Sequence, residues 1–300
     1  MTTTDAMAYP GRRQSVTSRL RDYYTLTKPE VNLLILITTS AGYYLASRGS
    51  FRLLGLINTL IGTLLVASGT ATLNQYMERR YDGQMRRTAN RPVASGRMPA
   101  MEALVFGLLL SVAGGMYLWA TVNELAAVLA ISTLLSYLLV YTPLKRITPL
   151  CTLLGAIPGA MPTLIGWAGG SNALNQEAWF LFAVLFFWQF PHFLAIALMY
   201  REDYARAGYK MLPGFDAEGR FTRAEIVGFT LALILVTVFP AFSGGLSWSY
   251  LVSMGLAGAF FLYYSGRLAI SGSRVSASRL VHASVIYLPA VFAIMILCKR

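Results

Sequence analysis

Charge is scarce in this chain. Only 13 % of its 300 residues are Asp, Glu, Lys or Arg, against 56 % hydrophobic, which excludes the profile of a soluble domain. Acids are the rarer sign, 13 beside 25 Lys and Arg, and leave a formal net charge of +12. Cysteine and histidine are rarer still, with two of each. Cys151 and Cys298 lie far apart in apolar runs and read as small core residues, which argues against a disulfide or a cysteine metal site. The first 30 residues hold no uninterrupted apolar segment, so no cleaved secretory signal is expected. Their Ser/Thr/Arg-rich start has a weak likeness to an organellar presequence, and that alternative stays open.

What fills the chain instead is a series of apolar runs of about 20 residues, the length of a membrane helix. Nine spans are predicted, at 30–47, 53–73, 101–120, 125–142, 148–169, 178–199, 224–242, 247–265 and 280–298. The charge-free run from Ile226 to Gly266 is too long for one span, and Ser243-Gly244-Gly245 supplies the turn that divides it. The expected architecture is an all-α polytopic membrane bundle, with residues 1–21 a polar tail and 22–300 a single intramembrane domain.

Lys and Arg set the orientation. With the N-terminus cytoplasmic, 21 of the 25 fall on inner segments and only Arg48, Arg52, Lys299 and Arg300 lie outside. The C-terminus is then external. This split accounts for the net charge without nucleic acid, and no nucleic-acid partner is expected. The inner loops after spans two and six hold acids as well as bases, so the chemistry is expected at the inner ends of those two spans.

The first of these loops begins in the stretch 74–98. It concentrates Asn74, Glu78, Asp82 and six arginines between two apolar runs. Asn74, Glu78 and Asp82 are spaced i, i+4, i+8, and a helix through them stacks all three along one face. Two carboxylates and an amide suit a hard cation such as Mg²⁺, which takes oxygen ligands and keeps waters or phosphates in its other positions. The nearby arginines suit the same phosphates, because guanidinium donates paired bonds to oxyanions. The arginines alone would mark only a basic loop that orients the helices. Acids at the mouth of a membrane bundle are costly and shift the balance towards function.

The second cluster, Met199 to Pro213, places Glu202 and Asp203 just after an apolar span. A helix would put Asp203, Arg206 and Lys210 on one side, as a second metal–phosphate clamp or as an exposed ion-pair run. Tyr141-Thr-Pro-Leu-Lys-Arg146 caps span four on the same side. Lys145 and Arg146 read either as topology anchors or as diphosphate contacts. His192 lies in the inner half of span six beside Pro191, with Gln189 three residues earlier on the same side. It reads as a packing residue or as a functional group within reach of the polar face. His282 has no such company and reads as structural. Gly155-Ala-Ile-Pro-Gly-Ala-Met-Pro162 suits close helix contact and kinks.

Asn74-x-x-x-Glu78-x-x-x-Asp82, followed by Met85-x-Arg87-Thr88-x-Asn90-Arg91-Pro92, resembles the first signature of the UbiA superfamily of intramembrane prenyltransferases. Further motifs narrow the resemblance to the branch that modifies heme. They are Tyr141 to Arg146, Gly155-Ala-Ile-Pro-Gly-Ala160, Gly166-Trp167, Trp188-Gln-x-Pro-His-Phe193 and Asp203-Tyr204…Gly208-x-Lys-Met-Leu-Pro213. The opening Leu26-Thr-Lys-Pro29 fits as well, and the resemblance runs from about residue 22 to the C-terminus. Two positions depart from the superfamily pattern. Glu78 stands where aspartate is usual, and Ala207 stands four residues after Asp203, where many relatives have a second aspartate.

The resemblance implies transfer of the farnesyl group of farnesyl diphosphate to a vinyl group of heme B, giving heme O and diphosphate on the route to heme A. It implies Asn74, Glu78, Asp82 and Asp203 as catalytic, metal-binding residues holding one or two Mg²⁺ ions. Arg86, Arg87, Arg91, Lys145, Arg146 and Lys210 would bind the diphosphate, and His192, Gln189 and Tyr141 would face the heme. Partners implied are the lipid bilayer and heme A synthase or terminal oxidase assembly. The location implied is a bacterial inner membrane, with the mitochondrial inner membrane as the alternative. A related prenyltransferase acting on an aromatic acid or a chlorin would share the diphosphate end. A transporter could use the acids as an ion site, but such sites lie near the midplane of broken helices.

Overall fold

The computed structural model describes residues 15–47, 49, 51–242 and 247–299. Most of the polar tail, the turn at Ser243-Gly244-Gly245, Arg48 and Arg300 lie outside the described residues. A short helix α1 (Val16–Leu26) leads into α2 (Pro29–Ala46), α3 (Leu53–Asp82), α4 (Ala100–Thr121) and α5 (Glu124–Leu135). The chain continues through a π turn at Ser136–Tyr141 into α6 (Thr142–Leu144), then α7 (Cys151–Ser171), α8 (Gln176–Met199) and a one-turn α9 (Arg201–Arg206). After a 3₁₀ turn at Leu212–Gly214 come α10 (Arg220–Phe242), α11 (Trp248–Ser271) and α12 (Arg274–Leu297). Among the described residues every regular element is helical.

Seven segments are long and apolar enough to cross a membrane: α3, α4, α5 through α6, α7, α8, α10 and α12. The expected spans at 30–47 and 247–265 are also helices, α2 and α11, but they fall short of that apolarity among the described residues. Glu30 and Asn32 dilute the first, and serine, glycine and tyrosine dilute the second. Side chains such as Leu235 at 72 % and Met116 at 68 % exposure point outwards, as lipid-facing residues do. The protein is a multi-span membrane protein.

Small residues set how closely the helices approach. A side-chain carbon at Gly42 or Gly166 would collide with the backbone carbonyls of Thr163 and Thr39, so α2 and α7 touch backbone to backbone. This is the small-residue packing used where lipid offers no hydrophobic drive to association. Pro158 and Pro162 stay inside a continuous α7. The π turn has a local cause: Pro143 has no N–H to return to the carbonyl four residues back, and the coil widens just before it. Thr142 Oγ1 donates to the Tyr137 carbonyl at 2.9 Å, beside the Thr142 backbone N–H that bonds the same oxygen.

Candidate active site

Helix α3 runs two turns past its expected end and carries the ladder on its buried face. Asn74, Glu78 and Asp82 are all at most 5 % exposed. Gln75 anchors this end by donating to the carbonyls of Leu26 (3.0 Å) and Thr25 (3.3 Å). The chain then turns tightly under the helix end, with Met85, Val93 and Met98 buried. Thr88 Oγ1 donates to the Asp82 carbonyl at 2.9 Å, capping the last turn. Helix α1 closes the flank, where Asp22 accepts from Arg97 (3.1 Å) and Tyr23 donates to Glu102 (2.6 Å).

Each rung of the ladder meets a cation from elsewhere in the chain. Lys28 Nζ donates to Asn74 Oδ1 (3.2 Å), and Lys145 Nζ donates to Glu78 Oε1 (2.8 Å). Arg91 Nη1 lies 2.7 Å from both oxygens of Asp82. The Asn74 amide also donates to Thr142 Oγ1 (3.3 Å). Burial works against the charge on Lys145, yet the Glu78 carboxylate holds its pKa well above the ordinary lysine value. Burial first, and then the repulsion of Arg91, push Lys28 down to about 7. Lys28 also takes a left-handed backbone, φ 50°, directly before Pro29. Such a conformation costs a non-glycine residue on the order of 1 kcal/mol and persists only where neighbours enforce it. Here the Lys28 carbonyl accepts the first helical N–H bonds of α2, and Asn32 Nδ2 holds the Thr27 carbonyl at 2.8 Å.

The second loop joins the first. Asp203, 7 % exposed, accepts from the Arg87 backbone N–H (3.3 Å) and from the Arg206 guanidinium. Arg87 lies over the Tyr200 ring at 5.1 Å, and Arg146 covers the Tyr81 ring at 4.2 Å and bonds its hydroxyl. Arg86 is exposed without a partner among the described residues.

One expectation needs correction. Asp203, Arg206 and Lys210 do not share a helix face, because α9 ends at Arg206 and Gly208 takes a left-handed φ of 70°. Glycine at that place stops a helix. Lys210 sends its ammonium over the Phe215 ring at 5.5 Å, while its backbone N–H donates to the Lys145 carbonyl at 2.6 Å. It ties two loops together rather than lining up with Asp203.

The three residues expected at the heme side separate. Tyr141 belongs to the charged end, with Lys145 Nζ 4.5 Å from its ring centre and its side chain filling the notch over Gly155. Gln189 fills the next notch, over Gly159, and donates to the Ala156 (3.0 Å) and Leu185 (3.1 Å) carbonyls. His192 stacks on Trp188 at 4.8 Å and meets Ser284 Oγ through Nδ1 at 2.7 Å. Gln189 therefore packs α8 on α7, and His192 packs α8 on α12.

Residue patterning missed Lys28, Thr142 and Tyr209. Lys28 had a signal, a basic residue before Pro29 at the mouth of a span, but it counted only towards orientation and the Leu26-Thr-Lys-Pro29 motif, not as a site residue. Tyr209 sits in the second motif; its hydroxyl is buried without a partner among the described residues. Burial first, and then the negative charge of Glu78 and Asp82, push its phenol up.

A profile of the UbiA prenyltransferase family matches residues 35–288. The chain belongs to this family. Among curated members, the protoheme IX farnesyltransferase of Solibacter usitatus (strain Ellin6076) is 48 % identical over 93 % of this chain and 98 % of its own length. That of Koribacter versatilis (strain Ellin345) is 42 % identical over 98 % and 97 %. The UbiA fold is shared with a UbiA homologue from Archaeoglobus fulgidus solved with DMAPP and Mg²⁺. That structure gives a TM-score of 0.69 at 16 % identity and covers 91 % of this chain and 99 % of its own. A structure of digeranylgeranylglyceryl phosphate synthase gives 0.76 at 17 % identity, over 94 % and 98 %.

The donor set fits a hard divalent ion. An amide oxygen and two buried carboxylates share one helix face, and the unpartnered Tyr209 hydroxyl lies against them. Among the described residues no three or more of His, Cys, Asp and Glu gather as a complete metal cage. An ion here would complete its shell from water and phosphate, as Mg²⁺ commonly does. Cations also outnumber carboxylates: Lys28, Arg87, Arg91, Lys145, Arg146 and Arg206 surround Glu78, Asp82 and Asp203. The surplus suits an incoming polyanion.

Proposed function

We propose that this protein transfers the farnesyl group of farnesyl diphosphate to a vinyl group of heme B, giving heme O and diphosphate. The observation that carries the reading is full-length likeness to curated protoheme IX farnesyltransferases in a chain whose buried carboxylate ladder is ringed by surplus cations. In this reading Asn74, Glu78 and Asp82 would hold Mg²⁺, with Asp203 a further carboxylate ligand from the second loop. When bound, the ion offsets charge on the departing diphosphate.

The cations do the rest. Lys145 and Arg91 pair with Glu78 and Asp82. With an ion held by the carboxylates, Lys145 and Arg91 would be free to donate to the phosphate oxygens of a bound diphosphate. Lys28, Arg87 and Arg146 add donors from three other segments. As the allylic C–O bond breaks, these fixed charges meet the developing negative charge. The carbocation on the farnesyl side needs an apolar, water-poor cavity, which the helical bundle supplies. The terminal vinyl carbon of heme then forms the new C–C bond, which leaves a cation on the inner vinyl carbon, beside the porphyrin. One water takes up that cation and loses a proton, so that farnesyl diphosphate, heme B and water give heme O and diphosphate. In this reading residues 22–300 work as one unit, and the charged end faces the cytoplasm of a bacterial inner membrane, as the lysine and arginine split supports.

The test is expression in cells that lack their own heme O synthase, with extracted hemes identified by chromatography and mass. Heme O is expected. Heme B alone, with the protein abundant in the membrane, would sink the reading.

A further inference from the structure

The α11–α12 hairpin carries a feature that the reaction above does not use. Between its helices lies a groove of about 330 Å³ lined by Phe260, Tyr263, Tyr264, Arg267, Arg279 and His282. The three aromatic rings form a continuous set, with Tyr264 5.1 Å from Phe260 and 5.3 Å from Tyr263. Arg267 and Arg279 are exposed and make no ion pair or hydrogen bond among the described residues. His282 Nδ1 lies 2.7 Å from the Ser278 carbonyl oxygen. A carbonyl only accepts, so Nδ1 carries the hydrogen and Nε2 presents its lone pair. That is the tautomer and support found at metal-ligating histidines.

Two further contacts place the groove. Arg274, at the start of α12, lies over the Tyr200 ring at 5.9 Å, and Tyr200 is the ring that also carries Arg87. The hairpin turn is therefore at the same end of the bundle as the carboxylate ladder. Ser284, which meets His192, follows His282 by two positions, about 200° around the helix. The two histidines thus lie against opposite faces of α12, one within the bundle and one on its flank.

We propose that this groove is a second seat for heme, on the outer side of α12, where the acceptor docks from the bilayer before it reaches the site. The inference rests on the heme reading of the function. His282 Nε2 ligates the iron, Arg267 and Arg279 take the two propionates, and the aromatic rings lie against the macrocycle. Each group answers one part of the same molecule: a metal ion, two carboxylates and a flat apolar ring. Arginines that only fix topology need no imidazole between them, and an anionic lipid headgroup has no use for a lone-pair nitrogen.

The test uses the full chain in nanodiscs of zwitterionic lipid, titrated with ferric heme B and followed by the Soret band and electron paramagnetic resonance. H282A should lose an imidazole-ligated component equal to one heme per chain, and H192A should retain that component. R267Q/R279Q should weaken it about tenfold or more, the loss expected when charge-assisted bonds are removed. If H282A fails to fold, H282Q removes the imidazole at similar volume and carries the same test. An unchanged spectrum and stoichiometry in the folded His282 variant would overturn the proposal. So would phosphatidylglycerol binding that depends on the two arginines while heme binding does not, since the groove would then be a headgroup seat. Heme O formation by the wild type is read separately. A failed titration with heme O present removes the seat alone, whereas absence of heme O removes the function itself.

Discussion

The inner end of α3 and the contact between α8 and its neighbours are both buried and polar, yet they are built differently. Around α3 the polar groups are charged or paired with cations: Lys28 on Asn74, Arg91 on Asp82 and Lys145 on Glu78. Around α8 they are neutral and paired with neutral groups, as Gln189 is with two carbonyls and His192 with Ser284. Buried ion pairs add little net stability, because desolvation offsets the attraction. A protein that keeps several of them side by side therefore has another use for the charge. Neutral, satisfied bonds instead fix how helices pack. In the proposed function the first region exchanges partners with a ligand, while the bonds of the second hold helices together.

Breaking the charged side should have the largest effect. Glu78→Gln and Asp82→Asn should each lower turnover by about 10³-fold, the scale of losing a main electrostatic element of a site, with normal membrane expression. Turnover within twofold of wild type would end the metal assignment. Lys145→Ala should be worse for the fold than either. It strands Glu78 uncompensated, a loss of about 3 kcal/mol or more, which a thermal melt in detergent would register. The double variant Lys145→Ala, Glu78→Gln should recover most of that stability and none of the turnover.

Arg91→Lys should raise the Michaelis constant for farnesyl diphosphate by about tenfold while leaving that for heme unchanged, because lysine cannot reproduce the guanidinium fork. An unchanged constant for farnesyl diphosphate would leave Arg91 a structural partner of Asp82. His192→Ala sharpens the comparison from the other side. With His192 a packing residue, the variant should melt lower but titrate heme with a normal Soret response. A lost Soret component would return His192 to the heme side.

The smallest expected effect is that of Tyr209→Phe. Its hydroxyl has no partner to lose, so the melt should be unchanged. Only the Mg²⁺ concentration needed for half-maximal turnover should rise.

The two regions also differ in how far they could be read from sequence. The ladder was legible because a four-residue spacing of acids on an apolar helix has one geometric meaning. The arginines that follow it were legible as a cluster of cations beside the acids. Which cation meets which acid was not, since Lys28, Arg91 and Lys145 reach Asn74, Asp82 and Glu78 across 46, 9 and 67 positions. The straight helix drawn through Lys210 failed at Gly208, whose backbone freedom a side-chain pattern does not register. Tyr141, Gln189 and His192 looked alike in sequence, each a polar residue near an inner helix end. Only the glycine notches of α7 and the position of Ser284 show that each has a different neighbour. Close packing was expected at Gly155–Pro162, whose glycines receive Tyr141 and Gln189, but the backbone contact of α2 with α7 at Gly42 and Gly166 was not foreseen.

The central claim is that the cations on Glu78 and Asp82 give way to a metal–diphosphate pair. The most direct measurement is calorimetric titration of the purified protein with a non-hydrolysable farnesyl diphosphate analogue, with and without Mg²⁺, in wild type and Glu78→Gln. The account predicts that Mg²⁺ tightens binding at least about tenfold in the wild type, a gain of about 1.4 kcal/mol, and does nothing in the variant. Equal affinity with and without Mg²⁺ in the wild type would contradict it.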